Sequence, residues 1–243
     1  MTDYETEIAR RSLDIGAIKL SPEKPFQWAS GYFMPIYNDN RMHLFHPQNR
    51  TLIANAFSDV IKQVSKQESR VPFEVIAGTS TAGIAPAALL AHMAQLPLVY
   101  VRDKPKEHGL RNMIEGLDAD KDFEGKRVLV IEDLISTGGS SVKTVQAVRD
   151  ANGSCDHCFS IFNYGLKEAQ DMFAGTVSYD KKSPEQPKLN PACNVTSLVG
   201  YDRLLEIAIE TGYLKPEQID LLREWREDPF KWGEKHGFPQ AKK

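Results

Sequence analysis

An alternation of short β-prone runs with helical segments constrains the fold of this chain more than any other feature. Two units, over residues 74–101 and 127–161, each indicate a strand, a turn, a helix and a second strand. Their leading strands are the runs Glu74–Ala77 and Arg127–Ile131. Strands that alternate with helices form parallel sheets with right-handed crossovers, and helices cover both faces. We therefore predict an α/β fold with an open, mainly parallel, twisted sheet flanked by helices.

Helix signals inside and outside these units complete the predicted order. The periodicity of apolar residues predicts helices at about 2–16, 47–64, 84–95, 140–151, 201–211 and 216–225. The first has the capping-box spacing of Thr2 and Glu5, and the last has Pro216 at its first position. A stretch with three prolines, residues 179–194, predicts a loop.

Charge and cysteine content limit the classes of partner. Thirty Lys and Arg against 33 Asp and Glu give a net charge of −3, which provides no general support for a nucleic-acid or polybasic membrane surface. Met1–Ser12 lacks an apolar leader, and the apolar runs are too short to span a bilayer. Three cysteines indicate a reducing compartment, with Cys158 of the lone C-x-x-C a buried strand residue. We expect a cytoplasmic protein with neither nucleic-acid nor membrane partners.

The segment after Arg127–Ile131 has the composition of a phosphate site. Ligands of open α/β sheets bind at the carboxyl ends of strands. Hydroxyls, two glycines and a helix start together favour phosphate binding. The residues that supply them are Ser136, Thr137, Gly138, Gly139 and Ser140. An ordinary turn with a helix cap is the alternative interpretation.

Two carboxylates make this phosphate site more specific. Glu132 and Asp133 precede the turn, and carboxylates beside a phosphate are costly unless hydroxyl donors or Mg²⁺ lie between them. A phosphorylated sugar supplies such hydroxyls. The chain has no G-x-G-x-x-G motif, and Gly78–Gly83 is followed by Ile84 rather than by lysine. These features exclude a dinucleotide-binding fingerprint and a P-loop.

Cationic side chains follow the strand Leu98–Val101. Within ten residues they are Arg102, Lys104, Lys106, His108 and Arg111. A solvated surface loop is the simple interpretation of such a charge run. We call residues 136–140 the phosphate turn. Because the strand Leu98–Val101 should end beside it, we instead expect residues 102–116 to form a mobile lid over the diphosphate of the same ligand.

Several of these segments resemble one enzyme family. Residues 128–141 resemble the phosphoribosyl pyrophosphate (PRPP) signature of type I phosphoribosyltransferases. Tyr100–Gly109 with 115–116 is similar to the catalytic loop of orotate phosphoribosyltransferases, and 19–41 and 77–84 are similar to their hood and pyrophosphate loop. The resemblance covers almost the whole chain.

The resemblance implies a fold and a domain plan. It implies the type I phosphoribosyltransferase fold in a single domain, 1–243, with a PRPP-binding core at about 46–180. A small hood would come from about 1–45 and 195–243. It also implies a homodimer whose active sites are shared across the interface.

The resemblance further implies phosphoribosyl transfer from PRPP to orotate in pyrimidine biosynthesis, with Mg²⁺ bound mainly through PRPP and no separate protein metal site. Lys106, His108 and Asp133 would be catalytic, and Ser136 would lie near orotate. The implied PRPP-binding residues are Arg102, Lys106, His108, Glu132, Asp133, Leu134, Ile135, Ser136, Thr137, Gly138, Gly139 and Ser140.

Four departures from the better-known family pattern leave the choice of base open. Ala29, Ala82 and Asp103 stand where the family often has lysine. Asn163–Tyr164 stands where Asp-Arg is often found, and that arginine would contact the orotate carboxylate. A phosphoribosyltransferase for another base, or a non-catalytic PRPP-sensing regulator, remains an alternative.

Overall fold

A computed structural model describes residues 3–28, 30–69, 73–103, 113–118, 120–175 and 192–239. The strands are β1 Ile18–Leu20, β2 Phe26–Gln27, β3 Phe33–Met34, β4 Ile36–Asn38, β5 Val75–Thr79, β6 Leu98–Val101, β7 Ile114–Glu115, β8 Arg127–Ile135, β9 Ser154–Asn163 and β10 Asn194–Gly200. The α-helices are α1 Tyr4–Asp14, α2 Pro47–Glu68, α3 Ile84–Ala94, α4 Gly139–Asp150, α5 Lys167–Phe173, α6 Tyr201–Glu210, α7 Ile219–Glu227 and α8 Pro229–Lys235. Two 3₁₀ helices cover Asn40–Phe45 and Pro216–Gln218.

The central feature is a six-stranded sheet with the order β10–β9–β8–β5–β6–β7. Every pair is parallel except β6 with β7, so the prediction of a mainly parallel sheet is confirmed. Side chains of β8 alternate between two buried layers. Leu129 and Ile131 pack into one layer, and Val128 and Val130 pack into the other. Burial on both faces explains why this strand is almost continuously apolar.

Residues from both ends of the chain form a smaller layer beside the sheet. β1 pairs with β4 and β2 pairs with β3, both antiparallel. The Trp225 indole N–H, on α7, donates to Met34 Sδ at 2.9 Å, and α8 packs against β3 closely enough that a side chain at Gly233 would meet the Phe33 carbonyl. We call β1–β4 with α7 and α8 the hood.

The structure corrects the predicted start of α1 and the predicted end of β8. Asp3 caps α1 by accepting a hydrogen bond from the Thr6 N–H at 3.1 Å, and Thr2 lies outside the described residues. β8 continues to Ile135 because β9 continues beside it, with Ile135 opposite Asn163. Glu132 and Asp133 therefore lie in the strand, not in the turn where we expected them.

The C-terminal third differs most from the prediction. The strand β10 and the helices α5 and α8 were not predicted, and Pro216 opens a 3₁₀ turn before α7. Asn194 begins β10, a strand of the main sheet that lies within the segment from about 195 expected to contribute to the hood. The predicted loop is described only from residue 192 onward. The interpretation of Cys158 as a buried strand residue is confirmed, although β9 begins earlier, at Ser154.

Candidate active site

A tight turn joins β8 to α4. Gly138 has φ +85°, a left-handed conformation that disfavours other residues, and a Cβ there would lie 3.2 Å from the Ala169 Cα. In the described structure no side chain caps the N-terminus of α4. The first backbone N–H groups of this helix and its dipole therefore favour an anion at the turn. The predicted phosphate residues 136–140 all lie at this helix start.

Glu132 is buried at the end of β8, with 5% of its surface exposed. Its carboxylate accepts hydrogen bonds from the Ser141 hydroxyl and from the Asp133 N–H, each at 3.0 Å. Burial, together with the neighbouring Asp133, raises the pKa of Glu132 well above its ordinary value. The carboxylate is therefore held toward α4, and in this position it fixes the strand against the helix start.

Asp133 is held in place by a contact that sequence reasoning did not predict. The Asn40 side-chain amide donates to the Asp133 carbonyl at 2.7 Å, and Asn40 is buried. Burial raises the pKa of the Asp133 carboxyl, while Arg41 acts in the opposite direction. The 3₁₀ helix Asn40–Phe45 thus holds the end of β8 from the side opposite α4. No local sequence signal distinguishes Asn40 from a helix-cap residue.

The loop between β5 and α3 passes close to the same strand end. A Cβ at Gly83 would lie 2.6 Å from the Ile131 carbonyl oxygen and 2.8 Å from that of Thr79. Only glycine allows this approach. Ala82 and Asp133 line one small cavity of about 20 Å³ together with Arg41. The loop that resembles a pyrophosphate loop therefore reaches the carboxylate pair.

The segment predicted as a lid is described only at its two ends. The Arg102 N–H donates to the Met113 carbonyl at 2.8 Å, and the Arg102 guanidinium pairs with Glu115 at 3.3 Å. Asp103 lies 4.0 Å from Lys143 Nζ on α4, so the start of the segment adjoins the phosphate turn. Lys104, Lys106, His108, Arg111 and Ala29 lie outside the described residues.

A cavity of about 370 Å³ lies between the hood and the end of β8. Its described lining residues are uncharged: Gln27, Trp28, Ser30, Tyr37, Asn38, Leu134, Ser136 and Tyr164. Ser136 belongs both to this cavity and to the phosphate turn, so the two sites are continuous. Sequence reasoning noted Tyr164 only as a departure and missed Asn38.

The described residues also bear on metal binding and on the crossing of a membrane. Among the residues described here, no group of three or more His, Cys, Asp or Glu side chains is arranged to hold a metal ion. Across the same ranges, none of the helices combines the length and apolar character that crossing a bilayer requires.

Comparisons with known proteins identify a family model and close sequence relatives. A family model, the phosphoribosyl transferase domain, matches residues 46–199. The chain is 39% identical over 231 residues to an orotate phosphoribosyltransferase of Cytophaga hutchinsonii, covering 95% of this chain and 99% of that protein. It is 40% identical over 229 residues to one from Listeria monocytogenes, covering 94% and 98%.

Solved structures show the same fold. A crystal structure of orotate phosphoribosyltransferase from Aeropyrum pernix matches with a TM-score of 0.63 and 23% identity, over 86% of this chain and 99% of that one. The Mycobacterium tuberculosis enzyme in complex with PRPP matches with a TM-score of 0.55 and 20% identity, over 84% and 99%. The phosphoribosyltransferase fold predicted from the resemblance is therefore confirmed.

Proposed function

This chain belongs to the orotate phosphoribosyltransferase family, and we propose that it transfers the phosphoribosyl group of PRPP to orotate in pyrimidine biosynthesis. The products are orotidine 5′-monophosphate and pyrophosphate. One observation carries this proposal: two carboxylates, an uncapped helix start and the hood cavity meet at the end of β8. A phosphorylated sugar that carries a planar base needs these three sites side by side.

The strand end and the turn bind the phosphoribosyl group. Residues 134–140 surround the 5-phosphate, which accepts hydrogen bonds from the backbone and hydroxyls at the start of α4. Asp133 and Glu132 hold the ribose hydroxyls. As pyrophosphate departs, C1 of the ribose acquires positive charge, and the two carboxylates favour that oxocarbenium-like state electrostatically. The Asn40 contact supports this role because it fixes the Asp133 backbone.

Cations from the lid stabilise the leaving pyrophosphate. Lys106 and His108 are the catalytic residues of the lid, and Arg102, the first residue of the lid, assists them. One preorganised donor of this kind is worth about 2.7–4 kcal/mol of transition-state stabilisation. Support comes from the position of Arg102 and Asp103, which adjoin α4 beside the phosphate turn. Orotate reaches the site as an anion, so the reaction requires no strong general base.

We expect Mg²⁺ to be held mainly by PRPP and only weakly by the protein. Glu132 and Asp133 offer carboxylate oxygens, which Mg²⁺ prefers, but both Glu132 oxygens already accept internal hydrogen bonds. The diphosphate of PRPP would therefore be the principal ligand of the ion, and the ion would supply positive charge that neutralises the diphosphate. The protein residues keep the carboxylates close to the ribose.

The enzyme is a cytoplasmic homodimer, and the lid of each subunit serves the active site of the neighbouring subunit. Within each subunit, the hood and the sheet act as a single domain. Met42, Leu44 and Phe45 expose large apolar surfaces on the 3₁₀ helix whose Asn40 contacts Asp133, and Phe45 is 85% exposed. Exposed apolar clusters favour a protein interface.

The cysteines Cys155, Cys158 and Cys193 are free and buried, which fits a reducing compartment.

A panel of bases tests the assignment. Purified enzyme with PRPP and Mg²⁺ is expected to consume orotate and to leave hypoxanthine, guanine and uracil unchanged. Consumption of one of those bases instead of orotate would establish a phosphoribosyltransferase of different specificity. PRPP binding without turnover of any base would establish a regulator.

A further inference from the structure

Two polar side chains in the hood cavity lack hydrogen-bond partners. The Tyr164 hydroxyl and both polar side-chain atoms of Asn38 are buried, and none has a partner within the described ranges. Buried polar groups in native proteins are nearly always paired, because an unpaired one loses its hydration without compensation. Both residues line the cavity that continues into the phosphate turn. A ligand in that cavity would supply the partners that these atoms lack.

The position of the Tyr164 hydroxyl is fixed by the packing of its ring. Tyr164 is fully buried, with ring centroids 5.2 Å from Trp225 and 5.4 Å from Phe162. Trp28 lies 6.0 Å away on the hood side. Burial, with Asp133 nearby, raises the pKa of Tyr164, so the hydroxyl remains a neutral donor. A donor that is already fixed loses little conformational entropy when a ligand binds, which favours selective recognition.

The backbone of Asn38 is fixed by strand pairing. Asn38 is the last residue of β4 and lies opposite Ile18 of β1 in the antiparallel pair. Its carboxamide carries both donors and an acceptor. This combination complements a ring edge on which a carbonyl adjoins an N–H, as in the imide of a pyrimidine.

The rest of the cavity suits a flat, polar ring. The Trp28 indole N–H already donates to the Ile36 carbonyl at 2.9 Å, so this side chain offers mainly its aromatic surface. Tyr37 lines the same cavity. Because the described lining residues carry no charge, they would recognise the base through hydrogen bonds from uncharged side chains and through ring contacts.

We propose that Asn38 and Tyr164 determine the specificity for the pyrimidine base: the Asn38 amide pairs with a carbonyl and N–H of the ring, and the Tyr164 hydroxyl donates to one of its oxygens. This inference rests on the proposed function and assigns the base-recognition residues within it. The hydrogen bonds replace the missing partners of the free protein, so they contribute to base affinity and not to folding.

The test compares Tyr164→Phe with Tyr201→Phe. Tyr201 is a matched control because it is also buried in the same aromatic cluster, 6.3 Å from Tyr164, but its hydroxyl donates to the Leu222 carbonyl at 2.9 Å. Asn38→Leu, of similar size, provides a second variant. KM values for orotate and for PRPP, kcat and the midpoint of thermal unfolding are measured for each protein.

Tyr164→Phe should raise KM for orotate about 10- to 100-fold, the loss expected for one hydrogen bond to a charged ligand. Asn38→Leu removes two proposed hydrogen bonds and should raise this KM at least as much. KM for PRPP should change less than about twofold, and Tyr164→Phe should not lower the unfolding midpoint. Tyr201→Phe should lower the midpoint and leave both KM values unchanged.

An unchanged KM for orotate in both cavity variants would overturn the inference while wild-type turnover of orotate upholds the proposed function. A parallel rise in both KM values with a lowered midpoint would also overturn it, because that pattern indicates a structural role. If the wild type uses another base, the proposed function fails. The effect of the same variants on KM for that base then supports or overturns the role of the pair.

Discussion

The Ser141 hydroxyl lies 3.0 Å from Glu132 Oε2 and donates a hydrogen bond to it, which joins the first turn of α4 to the end of β8. Both residues are buried, so the bond forms where water cannot replace it. The bond holds a carboxylate in a buried position beside the phosphate turn. Burial of this charge lowers the free energy of unfolding of the protein. This cost has a measurable pH dependence.

Glu132→Gln should increase the free energy of unfolding at pH 7 and reduce activity. Because the pKa of Glu132 is raised in the folded state, the folded protein holds a proton more tightly than the unfolded chain does. The wild type therefore loses stability as the pH rises above the ordinary value of 4.5 through the raised pKa. The advantage of the variant should vanish below that value. Urea unfolding across this pH range measures the difference in free energy of unfolding between the variant and the wild type, with Glu217→Gln at an exposed position as the control. A Glu132→Gln variant that is less stable than the wild type at pH 7 would contradict the prediction.

Asp133→Asn should lower kcat by about 10²-fold or more and leave the fold intact, because the substitution keeps the shape and removes the charge that we propose to face the ribose. Steady-state kinetics and circular dichroism measure the two effects. A kcat close to that of the wild type would show that Asp133 acts only as a structural residue at the strand end.

Asn40→Ala should lower both stability and activity. It leaves the Asp133 carbonyl without the donor at 2.7 Å, a loss of about 1–3 kcal/mol for a buried group. The released strand end should also reduce kcat/KM for PRPP. Chemical unfolding and PRPP kinetics test both effects; full activity in a destabilised variant would mean that the contact does not position Asp133.

Gly138→Ala should weaken PRPP binding more than its effect on folding explains. The left-handed backbone costs about 1–2 kcal/mol for a residue with a Cβ, and the added atom lies 3.2 Å from Ala169. Gly165→Ala is a matched control, because Gly165 has φ +68° and nothing within 4 Å. Comparable KM values for PRPP in the two variants would refute a specific role of the turn.

Lys106→Ala should lower kcat about 10²- to 10³-fold, with a smaller effect on PRPP affinity, if the lysine acts mainly on the leaving group in the transition state. Mixing this variant with Asp133→Asn under subunit exchange should restore activity toward half that of a wild-type dimer in each hybrid. Such a hybrid has one site with both substitutions and one with neither. No restoration despite verified exchange would show that each lid serves its own subunit.

The sequence predicts the sheet and the phosphate turn well because both depend on local patterns. The apolar run Arg127–Ile131 is enough to predict the strand. The hydroxyls and glycines of residues 136–140 are enough to predict the turn and the helix start. The end of β8 depends on pairing with β9, and β10 depends on the same neighbour, so neither boundary follows from local periodicity. Asn38 and Tyr164 line the same cavity only because the hood folds over the sheet. Their relationship therefore requires the tertiary structure.

The central claim is tested most directly by following orotate absorbance in the presence of wild-type enzyme, PRPP and Mg²⁺. We expect orotate to disappear only when both PRPP and a divalent cation are present, with one orotidine 5′-monophosphate and one pyrophosphate formed for each orotate consumed. Full turnover in excess chelator would contradict the role of the metal. Orotate that remains unchanged in the complete mixture would contradict the assignment of this chain as an orotate phosphoribosyltransferase.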